Sequence, residues 1–591
     1  MKNQGEDLID RYKGWMLFKR ILFYVKPYTG LVVLAIALLL TVSILNLAGP
    51  YLTKIVIDDH ITARDMSGLD MIAVIYLTVL VCSFLFQFCQ TYVMQYIGQK
   101  VMFDLRSKVF AHLHKMSFSY FDKNPIGKMI TRVVNDVEVL NEMLTSGLIM
   151  VFSDLFTLLG IFFVMLYLDW KLTFMVCIVF PLLGLATKAY RTRAWDALRK
   201  NRAHVSELNS YLKENLSGMD TVQCFNQEKK NYGKFSYINN QRLKEDLRTV
   251  RYNAFYMPSI DFFSSLAIGL VLWYGGGRFV QDEIQLGTLV AFIQYLQKFF
   301  EPIRDLAEKF NVIQTAMASS ERIFELLDTP EQIPEVVPSQ KAYKLNGKIE
   351  FKNVWFAYEE NNYVLKDISF SLLEGESLAI VGATGSGKTT LINALCRFYE
   401  INKGDIIFDG ESIKSINKYD LRRQISLVQQ EVALFSGNVL DNIRLGNKEM
   451  EKEEVISISN AVNAHEFINN FPAKYEQELS EGGEGISSGQ RQLLSFARAL
   501  AAEPRIIVLD EATSNVDLET ERQIQKGIKE MTYGRTSIII AHRLSTLMHV
   551  DKVLVLKQGE IIEFGKRKEL LQQRGVFYSL CQSQLKSENS V

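Results

Sequence analysis

Gly382-Ala383-Thr384-Gly385-Ser386-Gly387-Lys388-Thr389-Thr390 follows a short apolar run, Ser377-Leu378-Ala379-Ile380-Val381, and precedes Leu391, Ile392, Leu395 and Phe398 at helical spacing. The nonapeptide fits G-x-x-x-x-G-K-[ST], in which a buried strand delivers a glycine-rich loop to a helix N-terminus. Several backbone N–H groups then point at one spot, where the helix dipole also favours anions. Gly382, Thr384, Gly385, Ser386, Gly387 and Thr390 belong to that cradle. Lys388 is placed to reach the β- and γ-phosphates, and the Thr389 hydroxyl to ligate Mg²⁺. The stretch predicts a nucleoside triphosphate and Mg²⁺ as the bound species.

Working outward, Ile506-Ile507-Val508-Leu509-Asp510-Glu511 reads as a buried strand ending in two acids. The carboxyl edge of a parallel sheet is where such residues meet ligands. Asp510 is placed to hold Mg²⁺, and Glu511 to orient and polarise an attacking water, which is most of what phosphoryl transfer asks of a protein. Residues 538–541 form another apolar strand that delivers His542 toward a γ-phosphate. Upstream, residues 348–356 alternate like a strand, and Tyr358 follows where a ring could stack on the base.

The first half of the chain has a different character. The 591 residues carry no net charge, which removes the basic footprint of a nucleic-acid binder. The six cysteines are scattered without CxxC or metal-ligand spacing, as suits a reducing compartment. Residues 10–27 mix Lys13, Arg20 and Lys26 with apolar side chains, the pattern of an interfacial amphipathic helix. The first twenty residues lack the apolar core and cleavage site of a signal peptide. Apolar runs at 31–48, 69–97, 148–168, 172–190 and 254–274 are long enough to cross a bilayer. A shorter one near 288–300 gives an even count of six spans. The connections near 98–146 and 191–253 are long and rich in Lys and Arg, so both termini and the long loops are expected on the cytosolic side of the membrane. Their helical periodicity predicts spanning helices that continue into the cytosol and turn back there. Asp154 and Asp261 fall in or near spans, where a carboxylate marks either a cargo site or a polar contact between helices.

The expected fold is therefore a six-helix transmembrane domain with long cytosolic extensions, followed by an α/β phosphate-loop domain. Its boundaries fall at 1–328 for the membrane domain, 329–346 for a proline-marked linker, 347–585 for the nucleotide domain and 586–591 for a tail.

Ile486-Ser487-Ser488-Gly489-Gln490-Arg491-Gln492 resembles the LSGGQ-like signature of ATP-binding cassette (ABC) proteins, upstream of the Asp-Glu strand as in that family. The resemblance covers essentially the whole chain and is that of an exporter half-transporter. It implies that Tyr358 stacks on adenine, that Gln430 senses Mg²⁺ and water, and that Asp517 communicates across a dimer. The FDKNPIG and GMDTVQCFNQE stretches at 121–127 and 218–228 resemble the family's two coupling-helix regions. In the family two cassettes sandwich two ATP molecules, each between one chain's phosphate loop and the other's signature. Ser487, Ser488, Gly489 and Gln490 would accordingly grip a γ-phosphate held by the partner chain. Ser488 stands where the family usually has glycine, while Lys388, Gln430, Glu511 and His542 match competent patterns. That combination resembles the catalytically intact chain of heterodimeric multidrug exporters, whose partner has a degenerate site; a homodimer is the alternative. The expected function is efflux of amphipathic drug-like substrates, or lipid flipping by the same fold.

Overall fold

The computed structural model describes residues 16–64, 66, 68–330, 345–483, 485–510, 518–541 and 547–588. It divides into two compact units, one formed by Met1–His114 and Ile126–Thr329, the other by Lys115–Pro125 and Pro330–Val591. Residues 10–15 of the expected interfacial helix and 331–344 of the expected linker lie outside the described residues.

The first unit is helical. Among the described residues, Met16–Ile61, Leu69–Lys115, Ile126–Leu168, Trp170–Ser217 and Glu228–Val280 are long and apolar enough to cross a membrane. The weakest expected span, 288–300, opens the helix Leu286–Asp328, whose 43 residues also suffice in length. It is not among the five, and its apolar run is diluted by Gln294, Gln297, Lys298 and Glu301. At ~1.5 Å per residue, helices of 39 to 47 residues run well beyond a hydrocarbon core of ~30 Å, so they continue past it as the periodicity predicts. The run expected to span 172–190 lies within the single helical stretch Trp170–Ser217. Its hydrogen-bond ladder slips locally at Ile178, which keeps helical dihedrals, because Pro181 removes an N–H and crowds the carbonyl of Cys177.

The two carboxylates singled out in the spans are both engaged. Asp154 pairs with Lys309 at 2.5 Å, and Asp261 pairs with Arg304. Together with Lys298, whose ammonium donates to the Asn46 carbonyl at 2.7 Å, they fasten the last long helix to three others. A carboxylate that already holds a cation is a packing element first.

The second unit contains, in chain order, β1 (Ile349–Ala357), β2 (Tyr363–Leu372), β3 (Ser377–Val381), β4 (Lys403–Phe408), β5 (Glu411–Ser412) and β6 (Ile425–Val428). These are followed by β7 (Gly437–Asn438), β8 (Glu478–Leu479), β9 (Ile506–Asp510), β10 (Thr536–Ile540), β11 (Lys552–Lys557) and β12 (Glu560–Lys566). An antiparallel sheet has the order β2-β1-β4-β5, and the main sheet the order β12-β11-β3-β10-β9-β6. In the main sheet only β12 runs antiparallel. Its central strands do not alternate: all five residues of β10 and the first four of β9 are buried. Both faces are covered, which is why these strands read as unbroken apolar runs. Leu378 and Ile380 of β3 pack toward one core and Ala379 and Val381 toward the other.

Candidate nucleotide site

The site is assembled by register. Ile540 at the end of β10 is paired with Ile380 of β3 on one side and with Asp510 of β9 on the other. The loop that leaves β3 and the carboxylate that ends β9 therefore emerge together at the carboxyl edge of the sheet, where open α/β sheets bind ligands. Thr389 donates its hydroxyl to Asp510 Oδ2 at 3.4 Å. Two oxygens sharing one Mg²⁺ at ~2.1 Å each lie about 3–4 Å apart, so this pair fits the cation.

The loop has the shape of an anion cradle. Gly385 and Gly387 take φ of +79° and +103°, a region that L side chains rarely adopt, and a Cβ on Gly385 would meet nothing within 4 Å. Gly387 is the N-cap of the helix Lys388–Leu395. Gly559 N–H donates to the Ser386 carbonyl at 3.1 Å, tying the loop to the β11–β12 turn. The Lys388 ammonium bends back over the loop, donating to the carbonyls of Gly382 at 2.8 Å and Ala383 at 3.2 Å. Ser386 Oγ is buried without a hydrogen-bond partner. A buried orphan hydroxyl is costly, and an oxyanion in the cradle is the kind of partner it lacks.

Tyr358, 40% exposed, stands next to this loop and donates its hydroxyl to Thr390 Oγ1 at 3.2 Å. Thr390, grouped with the phosphate cradle by its place in the motif, is buried and accepts this bond at the aromatic end of the site. Gln430 is exposed two residues beyond β6, on the same sheet edge. Ser487 caps the helix Ser488–Ala501: its Oγ accepts from Gln490 N at 3.2 Å, while Gln490 Oε1 accepts from Ser487 N at 3.1 Å. This reciprocal cap satisfies two orphan donors and fixes the helix start. Ser488 is exposed at the first helical position and Gly489 is buried. Among the described residues, no hydrogen bond joins Gln430 or residues 487–490 to this chain's own phosphate loop. Glu511, Asp517 and His542 lie outside the described residues.

The structure adds residues that the motifs did not reveal. Arg498, half-buried on the signature helix, donates to the carbonyls of Ala433 at 2.7 Å and Asn442 at 2.8 Å and to Asn442 Oδ1 at 2.9 Å. It fastens the segment after Gln430 to the signature helix, and burial holds its guanidinium pKa below the ordinary value. An arginine between Ala497 and Ala499 in a strongly apolar stretch was the available signal. Burial likewise pushes the Cys396 thiol up to about 12, beneath the helix that follows the loop.

Residues 32–303 match the family described as the ABC transporter transmembrane region, and residues 365–514 match the family described as ABC transporter. An ABC transporter ATP-binding protein of Bacillus subtilis, YknV, is 37% identical over 585 residues, covering 98% of this chain and 96% of the relative. An ATP-dependent lipid A-core flippase of Syntrophus aciditrophicus is 34% identical over 97% of this chain and 95% of its own length. A probable multidrug resistance ABC transporter ATP-binding/permease protein of B. subtilis, YheH, is 35% identical over 89% of this chain and 78% of its own.

Proposed function

Because the chain belongs to the ATP-binding cassette exporters of the multidrug and lipid-flippase type, in which ATP hydrolysis is coupled to transport, we propose that it expels amphipathic drug-like molecules across the bacterial cell membrane. The observation that carries this reading is the joining, on one polypeptide, of membrane-length apolar helices to a phosphate loop whose Thr389 faces Asp510.

In this reading Gly382, Thr384, Gly385, Ser386 and Gly387 cradle the phosphates, and Lys388 turns from the loop carbonyls to the β- and γ-phosphates. Tyr358 stacks on adenine with Thr390 behind it. Thr389 and Asp510 hold Mg²⁺ with Gln430 near it; the cation neutralises charge that develops on the transferred phosphoryl group. Glu511 polarises the attacking water, and His542 steadies the γ-phosphate. Ser487, Ser488, Gly489 and Gln490 face the partner's nucleotide, with Asp517 at the dimer seam. Both termini are cytosolic, and the domains are those expected at 1–328, 347–585 and the linker between them.

The partner is a second half-transporter, and Ser488 favours a different chain over a second copy. Its side chain is accommodated here because it is exposed, so a nucleotide seated across the dimer would be the group to meet it. Lipid transport is the second reading. An apolar cavity of about 310 Å³, lined among others by Leu39, Met94, Ile97, Phe152 and Phe156, suits an acyl chain. ATPase activity of the chain alone and with the product of the neighbouring gene, in proteoliposomes loaded with a fluorescent dye or a labelled phospholipid, tests all three points. Activity only with the neighbour supports the heterodimer, and full activity alone refutes it. Dye extrusion without lipid movement supports the drug reading, and the converse supports the flippase. Glu511→Gln should retain ATP binding and stop most hydrolysis; near-parental turnover would remove Glu511 from the catalytic role.

A further inference from the structure

The segment Lys115–Pro125 leaves the helices on either side of it and packs as part of the nucleotide-binding unit. Its short helix Phe118–Lys123 presents Phe118 and Asp122 to a small aromatic cluster. Phe118 stacks on Phe398 at 5.3 Å between centroids and meets Tyr399 edge-on at 6.2 Å. Phe398 is in turn covered by the Arg422 guanidinium at 5.1 Å, which is itself fixed by the carbonyls of Cys396 and Arg397.

Tyr399 has two engagements. Its hydroxyl donates to the Asp122 carboxylate, and its ring meets Tyr358 at 5.1 Å and near a right angle. Phe356 closes the cluster, 4.8 Å from Tyr358 and 5.6 Å from Tyr399. Tyr399 is 9% exposed, so a phenol deprived of Asp122 would be left without water to replace it. Tyr358 is 40% exposed and keeps a face open.

We propose that Tyr399 is a positioning residue that links occupancy of the base site at Tyr358 to the placement of the helix Phe118–Lys123. The proposal rests on the reading of Tyr358 as the base-stacking residue. The physical argument is that of a shared side chain. A charge-assisted hydrogen bond holds Tyr399 from one end, and edge-to-face packing holds Tyr358 from the other. With Asp122 in place, Tyr399 is fixed and Tyr358 offers the base a ring already oriented. Withdrawal of the short helix strips the phenol of its acceptor, Tyr399 must turn to find another, and the support behind Tyr358 loosens. Coupling between two equilibria is reciprocal, so a base stacked on Tyr358 favours the helix in its seated position by the same factor.

The test uses the full chain in lipid nanodiscs, in whichever assembly is active, and compares ATP with magnesium tripolyphosphate, a triphosphate without a base, as competitor. Tyr399→Phe keeps the ring and removes the hydroxyl; Asp122→Asn keeps the size and weakens the acceptor. Each is expected to raise KM for ATP about fivefold, at the low end of typical coupling factors, with kcat and the tripolyphosphate inhibition constant unchanged. The double variant is expected to be no worse than either single one. Tyr358→Ala serves as the reference: if it leaves KM for ATP unchanged, the base-stacking reading itself fails. If Tyr358→Ala raises KM while Tyr399→Phe and Asp122→Asn do not, the link is refuted and the base site stands. Additive effects of the two variants, or a fall in kcat and tripolyphosphate affinity alongside KM, would also overturn it, because they report general loosening.

Discussion

Gly382→Ala puts the phosphate loop to a quantitative test. A Cβ at this position would lie 2.3 Å from the Leu556 carbonyl oxygen and 2.6 Å from Ser386 Oγ. The serine hydroxyl can rotate away. The carbonyl cannot, because Leu556 belongs to β11, which is paired with β3 in the buried sheet. Relief must come from the loop, which has to move by several tenths of an ångström. Overpacking of this kind costs about 1–3 kcal/mol of stability. The larger consequence is for the phosphates, since a displacement of ~1 Å in a positioning group can cost ~10²-fold, and a shift of half that size about tenfold. Steady-state ATPase should show KM for ATP raised about tenfold or more. Gly410→Ala is the control: its φ of +93° carries a backbone penalty of about 1–2 kcal/mol, but nothing lies within 4 Å and it sits at the β4–β5 turn away from the loop. It should lower the melting temperature and leave KM alone. A Gly382→Ala protein with parental KM and kcat would show that phosphates do not seat against these amides.

Asp154→Asn should destabilise the protein by about 1–3 kcal/mol, below the ~3–5 of a fully buried broken pair, because neither side chain is fully buried and Asp154 is the more exposed of the two; Lys309→Gln should restore much of it in the double variant, read by melting in detergent. Asp261→Asn, whose pair with Arg304 is about half exposed, should change melting by less than about 1 kcal/mol. Arg498→Met removes three hydrogen bonds donated by a charged group and should cost about 2–4 kcal/mol, with ATPase falling because the segment after Gln430 is released from the signature helix. Cys396 supplies a pH prediction. Its folded pKa of about 12 lies above the ordinary thiol value, so above about pH 9 the unfolded chain releases a proton that the folded chain retains. Stability is therefore lost as pH rises through roughly 9 to 12, and Cys396→Val should flatten that slope in melting measurements. An unchanged slope would mean that the thiol is hydrated.

The reach of sequence reading follows from how local each signal is. The phosphate loop was legible because strand, glycines, lysine and helix are contiguous, and the physics of anion binding needs all of them within some fifteen residues. The strand ending in Asp510 was legible for the same reason. Its meeting with Thr389 rests on the register of β3, β10 and β9, which no local pattern encodes, although the unbroken apolar runs indicated a sheet covered on both faces. The slip in the ladder at Ile178 was readable from Pro181, yet the apolar run masked it, because hydropathy averages over the residue that loosens the ladder. Asp154 and Asp261 show the limit most directly. Their cost in a span was evident, but whether a cation answered it depended on Lys309 and Arg304, more than forty residues away in the chain.

Ser488 illustrates a different limit, one that belongs to assembly. Inside this chain the signature is a well-made helix start: Ser487 and Gln490 satisfy each other's backbone donors, and Ser488 projects into open space. No local strain distinguishes serine from glycine there, so the substitution carries no penalty that folding would reveal. Any penalty must arise where a phosphate approaches the exposed position from outside. The same geometry makes the first residues of this helix complete as a cap and incomplete as a nucleotide site. Its amides still point outward with the positive end of the helix dipole behind them, and an anion brought by another chain would meet both. Among the described residues the phosphate loop and the signature of one chain bear no hydrogen bond to each other. Exporter half-transporters act as dimers, and in the function proposed above the second chain is what completes each of these sites.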